Sequence, residues 1–191
     1  MNITLTVDTY KGVDGSSLSS IRCNQIVQVY EMFELLGNKL LTYIDIQEEA
    51  QKQQLFGETN AKSAIRTFFP LLKKIGFVNY DDTFRANECF TELGILFVLA
   101  CRAINNVSDK TPHKDIVLER LVNIKQCAQK QGLVEMYLNK EYENHNMWVA
   151  LKLLKAFTII NWNYFLYALH CLEIGFSLDD AIEEIKRSRI R

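Results

Sequence analysis

The stretch that most constrains this chain runs from Thr59 to Phe90. It begins Thr59-Asn60-Ala61-Lys62-Ser63-Ala64-Ile65-Arg66-Thr67-Phe68-Phe69-Pro70-Leu71-Leu72-Lys73-Lys74-Ile75-Gly76 and continues into Phe77-Val78-Asn79-Tyr80. Ile65, Phe68, Phe69, Leu72 and Ile75 recur at helical spacing, which turns one face inward. Thr59 or Asn60 can cap the first turn, and Gly76 can end the last. Phe77 to Tyr80 and Phe84 to Phe90 then read as two strands paired across Asp81-Asp82-Thr83. Pro70 lies within the helical pattern, where it removes one backbone hydrogen bond and crowds the carbonyl of Arg66. The helix either kinks there or ends near Phe69 and restarts with Pro70 in its first turn. The apolar period continues across Pro70, which favours the kink.

The same stretch is a charge anomaly. From Thr59 to Tyr80 it carries Lys62, Arg66, Lys73 and Lys74 and no acidic side chain. The whole chain of 191 residues has a formal net charge of -1 and a pI near 6.3. Such a balance argues against coating nucleic acid through bulk charge, so any such binding belongs to a local patch.

On either side, the pattern is mostly helical. Ile3 to Val7 alternates like a short strand, and Lys11 to Ser17 reads as a loop without the lysine of a phosphate-cradling motif. A helix from about Ser19 to Leu36 aligns Ile26, Val29, Tyr30, Phe33 and Leu36, closed by Gly37-Asn38. Leu41 to Ile44 is β-prone, and Asp45 can cap a helix from Ile46 to about Gln54. Thr91 opens a helix to about Ile104 through Leu93, Leu96, Phe97, Leu99 and Ala100. After a polar linker, Thr111-Pro112 is placed to start a helix with the stripe Val117, Leu121, Ile124 and Ala128, stopping near Gly132. A short helix over Leu133 to Leu138, then helices over Glu141 to Ile160 and Trp162 to Ile174, are expected. Ser177 caps a last one with Leu178, Ala181, Ile182 and Ile185 inward.

The order helix, short strand, helix, turn, helix, strand, turn, strand resembles a winged helix-turn-helix domain over about Ser19 to Ile104. The residues that carry the resemblance are Ala64-Ile65-Arg66, Leu71-Leu72-Lys73-Lys74-Ile75-Gly76-Phe77-Val78 and Phe90-Thr91-Glu92-Leu93-Gly94. The expected fold is mainly α with a small β-wing, followed by a C-terminal helical bundle. The domains are expected at 1–106 and 111–191.

The resemblance implies double-stranded DNA as partner, read by the helix over 59–75 in the major groove. Carried onto this sequence, Asn60, Lys62, Ser63, Arg66 and Thr67 lie on the groove-facing side. Asn suits adenine and Arg suits guanine through paired hydrogen bonds. Lys73, Lys74 and, on the wing, Arg85 are expected near phosphates. Asp81 and Asp82 carry the wrong sign for that contact. The function implied is a sequence-specific DNA-binding protein acting as a transcriptional regulator. The alternatives are a protein-interaction module using the same scaffold, or the DNA-recognition part of a DNA-processing system. A solvated helix face is the plain alternative for the basic residues themselves.

Other chemistry finds little footing. Cys23, Cys89, Cys101, Cys127 and Cys171 have no metal-ligand spacing, and His113, His145 and His170 are scattered. Glu184-Ile185-Lys186 superficially matches an acidic-x-Lys nuclease pattern, but it sits in a helix with ordinary end-charge logic. No catalytic residues, no metal and no cofactor are expected. Odd cysteine usage and the absence of a leader-like pattern after Met1 point to the cytoplasm. Met147 to Phe176 is apolar but interrupted by charges, so it reads as core or as a homodimer interface through the C-terminal helices rather than a membrane span.

Overall fold

A computed structural model describes residues 20–57, 60–159 and 161–189. The expected strand at Ile3 to Val7, the loop at Lys11 to Ser17 and the candidate cap Thr59 lie outside the described residues. Two compact units are present, one holding the described residues up to Met136 and the other those from Tyr137 onward.

The first unit contains α1 (Ser20–Leu36), β1 (Leu40–Leu41), α2 (Tyr43–Lys52), α3 (Ala61–Lys74), β2 (Phe84–Arg85), α4 (Glu92–Asn106) and most of α5 (Lys114–Leu138). α1 buries Ile26, Val29 and Phe33 from the expected stripe, together with Met32. α2 starts earlier than Asp45 would allow as a cap. Thr42 accepts from the Asp45 backbone N–H at 3.2 Å, while the Asp45 carboxylate accepts from the Thr42 N–H at 2.7 Å. This reciprocal capping box shortens the β-prone stretch to two residues and turns the chain into helix at Tyr43.

α3 is capped by Asn60, whose side-chain oxygen accepts from the Ser63 N–H at 3.1 Å. It continues through Pro70 to Lys74, so the helix does not end at Phe69. Gly76, at φ +69°, ends it: its N–H reaches the Lys73 carbonyl, and the Phe77 N–H reaches Leu72. These two bonds satisfy carbonyls that a helix end otherwise leaves open, and the left-handed residue they require is glycine. Ile65, Phe68, Phe69, Leu72 and Ile75 are all buried beneath it.

The expected two-stranded hairpin forms only at its base. Val78 and Phe90 make an isolated antiparallel bridge, and the Asn79 N–H donates to Cys89 at 2.7 Å. Beyond that point Phe84 and Arg85 leave the hairpin partner and pair antiparallel with Leu41 and Leu40. The driving force is burial: Phe84 and Leu41 are both buried, and Phe84 meets Phe33 and Tyr80. A turn of 3₁₀-helix at Ala86–Glu88 then returns the chain to Phe90.

α4 is capped by Thr91, which accepts from the Gly94 N–H and donates to the Gly76 carbonyl at 2.6 Å. One hydroxyl thus joins the start of α4 to the end of α3. α4 buries Phe97, Val98, Ala100 and Cys101, whereas Leu96 and Leu99, expected among its apolar set, are exposed. α5 departs more from expectation. The Thr111-Pro112 segment forms a turn, and the helix starts at Lys114. It then passes through Gly132 without stopping. That glycine is buried, and a β-carbon there would lie 2.5 Å from the Ile75 carbonyl oxygen.

The second unit contains α6 (Asn146–Phe157), α7 (Trp162–Glu173) and α8 (Leu178–Arg189), preceded by a 3₁₀ turn at Lys140–Tyr142. That turn and the stop at Thr158, with φ +64°, shorten the helix expected over Glu141 to Ile160. Ser177 accepts from the Asp180 N–H at 3.1 Å and starts α8 as expected. Trp148, Val149, Leu153, Phe165, Ala168, Cys171, Leu178, Ala181, Ile182 and Ile185 form its core. No helix among the described residues is long and apolar enough to cross a membrane.

Candidate nucleic-acid interface

α3 divides cleanly into two faces. The inward face seals against α2 and the rest of the first unit. On the other face Lys62, Ser63, Arg66 and Thr67 are exposed, in pairs one turn apart. No carboxylate lies on the helix itself. A residue at position i and another at i+4 share a face, so Lys62 and Arg66 project from neighbouring turns of one surface.

The candidate residues divide by what already holds them. Asn60 uses its side-chain oxygen as the cap, which leaves its amide nitrogen outward at the mouth of the helix. Thr67 donates its hydroxyl to the Ser63 carbonyl at 2.8 Å. Lys62 stands 4.0 Å from the Glu48 carboxylate of α2, and both side chains are about half exposed or more. A solvated pair at that distance is weak and can be exchanged for another anion at little cost. Arg66 makes no hydrogen bond or ion pair among the described residues. Its positive charge acts on Tyr43, whose hydroxyl is pushed up in pKa by burial and pulled back by that cation.

Lys73 is placed differently. Its ammonium donates to the Tyr80 carbonyl at 2.6 Å and lies 4.6 Å from the centre of the Tyr80 ring. The charge ties the end of α3 to the loop beyond Val78 and is half-buried there. Lys74 is also half-buried. Arg85 is exposed on β2, 4.0 Å from Glu88. Asn60, Lys62, Ser63, Arg66 and Thr67 are therefore gathered on one helix surface, while Lys73 turns to the loop and Arg85 sits on a separate strand.

A groove of about 650 Å³ borders this loop, lined by Thr42, Tyr43, Ile44, Pro70, Lys73, Tyr80, Asp81 and Asp82. Tyr43 and Tyr80 stack in parallel across it, with ring centres 5.8 Å apart and planes 4° from parallel. Phe69 extends the stack from below at 5.2 Å from Tyr80. Among the neighbouring aromatics, Phe68, Phe69, Phe77, Phe84 and Phe90 are buried and Tyr80 is half-exposed. Sequence reading missed Tyr43 and Glu48 as neighbours of the basic face. The usable signal was the Thr42-x-x-Asp45 spacing, which moves the start of α2 and so rotates both residues toward α3.

The residues expected to be inert are held locally. His170 lies 3.9 Å from Glu173, Lys186 pairs with Glu183 at 2.8 Å, and Arg187 stands 3.9 Å from Glu184. No group of three potential metal ligands occurs among the described residues. Comparison with protein-family models, with curated proteins and with solved structures finds no match.

Proposed function

We propose that the chain is a sequence-specific DNA-binding protein of the winged helix-turn-helix kind, acting as a transcriptional regulator. In this reading α3 enters the major groove, with Asn60, Lys62, Ser63, Arg66 and Thr67 toward the bases and backbone. The observation that carries the reading is the outer face of α3, exposed, basic and free of carboxylates on the helix. The N-terminal turn leads, since recognition helices read mainly with their first residues. The antiparallel pairing of β1 with β2 supports the same architecture. Lys74 and Arg85 are assigned to phosphates, and two chains joined through the C-terminal helices would meet half-sites about one helical turn apart.

The test is fluorescence anisotropy with duplex DNA at low and moderate salt. Binding that weakens steeply between about 50 and 200 mM salt is expected. Lys62→Ala with Arg66→Ala should weaken it at least roughly tenfold, as loss of two charge contacts implies. Absence of binding even at low salt rejects the reading. Salt-sensitive binding that survives the double substitution rejects α3 as the contact.

The groove beside Tyr43 and Tyr80 favours a second reading, a protein-interaction module on the same scaffold. The two aspartates on its rim separate the cases. If DNA approaches the loop, Asp81→Asn with Asp82→Asn removes repulsion and tightens binding at low salt. If the groove serves a protein, DNA affinity is unmoved by that change.

A further inference from the structure

The first unit contains a buried thiol pair that the DNA-binding reading does not use. Cys23 of α1 and Cys101 of α4 are 4% and 3% exposed. Their side chains are hydrogen-bonded to each other. α1 and α4 are packed together. One position along α1, Asn24 accepts from the Asn105 amide at 2.8 Å, which holds the two helices in register beside the thiols. Further along, Arg102 pairs with both Glu31 and Glu34. The thiols therefore meet on a helix pair held in register, which is where a disulfide between them would have to close.

We propose that Cys23 and Cys101 are a peroxide-oxidisable pair that closes into a disulfide clamp between α1 and α4. Cys23 is the thiol oxidised first. The Cys101 hydrogen bond and the Lys125 ammonium lower its pKa, while that of Cys101 is raised. The Cys23 thiolate attacks one oxygen of hydrogen peroxide, the O–O bond breaks, and the leaving hydroxide takes up a proton to become water. Cys23 is then a sulfenic acid. The Cys101 sulfur attacks Cys23, the S–O bond breaks, and a second water leaves with the Cys101 proton. Two thiols have lost two electrons in total and the peroxide has gained them.

The other cysteines provide internal contrasts. Cys89 is buried without a thiol partner and is pushed up to about 12 by that burial, which keeps it a protonated and unreactive thiol. Cys127 is exposed. Cys171 belongs to the second unit and neighbours the Tyr167 hydroxyl. A thiol's reactivity follows its thiolate character, and Cys23 combines a lowered pKa with a resolving thiol in contact.

The experiment exposes the full native chain to hydrogen peroxide, then alkylates and maps it without reduction. The expected result is loss of two hydrogens, one peptide pair linked through Cys23 and Cys101, and a melting temperature raised by several degrees and restored by dithiothreitol. In Cys101→Ser chain, Cys23 should accumulate as sulfenic acid and be trapped by a 1,3-dione. The proposal is overturned if both thiols remain alkylatable after oxidation and denaturation while Cys127 reacts. It is overturned equally if the link forms only in urea, since burial would then close the path in the native chain. Trapping at Cys101 in Cys23→Ser chain, at the rate seen for Cys23, would reverse the order assigned. The wild-type map stands even if a serine variant fails to fold.

Discussion

Phe69 and Trp162 are both large aromatics in apolar stretches of sequence, yet Phe69 is fully buried and Trp162 is 60% exposed. The difference belongs to the units that hold them. In the first unit, α1, α3, α4 and the Phe84 loop surround one aromatic cluster, and Phe33, Phe68, Phe69, Phe77 and Phe97 all lie inside. In the second, three helices of twelve residues each share a core of smaller side chains. Trp148 and Phe165 enter that core, whereas Trp162, Ile174 and Phe176 remain on its surface. A small unit has too little interior for every apolar side chain it carries. Aromatic richness in sequence therefore marks a core in one unit and is divided between core and surface in the other.

The sharpest way to break the first unit is through backbone proximity. A β-carbon on Gly94 would stand 1.9 Å from the Phe77 carbonyl oxygen. Neither the start of α4, fixed by Thr91, nor the chain after Gly76 can yield freely. Gly94→Ala should cost about 4 kcal/mol or prevent folding, at the extreme of what single substitutions do. Urea denaturation checks it. Gly132→Ala, at 2.5 Å from the Ile75 carbonyl, should follow at about 2–3 kcal/mol.

The second unit should respond to side-chain volume instead. Trp148 is buried, stacks on Tyr137 and donates its indole N–H to the Tyr137 carbonyl at 3.1 Å. Trp148→Ala should cost about 3–4 kcal/mol from the void and the orphaned carbonyl. Trp162→Ala, by contrast, should cost under about 1 kcal/mol, since that side chain is 60% exposed. If the two tryptophans weigh equally in thermal unfolding, the second unit has a larger core than its buried residues indicate. A drop in oligomer mass by sedimentation on Trp162→Ala would instead place that ring in a homodimer contact.

These contrasts also show which parts of the fold were legible. α3 could be read because its signals are local. Asn60, the inward stripe and Gly76 act within a turn or two of themselves. The Thr91 and Ser177 caps were legible for the same reason. The partner of β2 was not, because Phe84 chooses between the near strand at Val78 and the distant Leu41, and burial decides. Gly132 looked like a helix stop, since glycine ends many helices; here its missing β-carbon admits Ile75 instead. Lys73 counted as a basic surface residue in sequence, and only the folded loop brings the Tyr80 carbonyl to it. The outer residues of α3 stay exposed because, among the described residues, only a weak solvated pair, Lys62 with Glu48, reaches them from another helix.

The smallest effect expected lies at the start of α2, where a charge rather than packing sets the boundary. The Asp45 carboxyl is held below its ordinary pKa by hydrogen bonds from the Thr42 N–H and hydroxyl. A carboxyl with a depressed folded pKa contributes stability that is fully present above the unfolded value of about 3.9. That contribution is lost as pH falls through the lower folded value. The Thr42 amide resonance should therefore titrate in acid below the ordinary aspartate range, with the first turn of α2 losing exchange protection over the same interval. Asp45→Asn retains an acceptor oxygen but no titrating charge, so the transition at Thr42 should disappear while α2 persists. A Thr42 transition that survives the substitution would assign the acid sensitivity to another carboxylate, with Glu49 the first to examine, because its pKa is also lowered, led by the Gln53 side-chain amide.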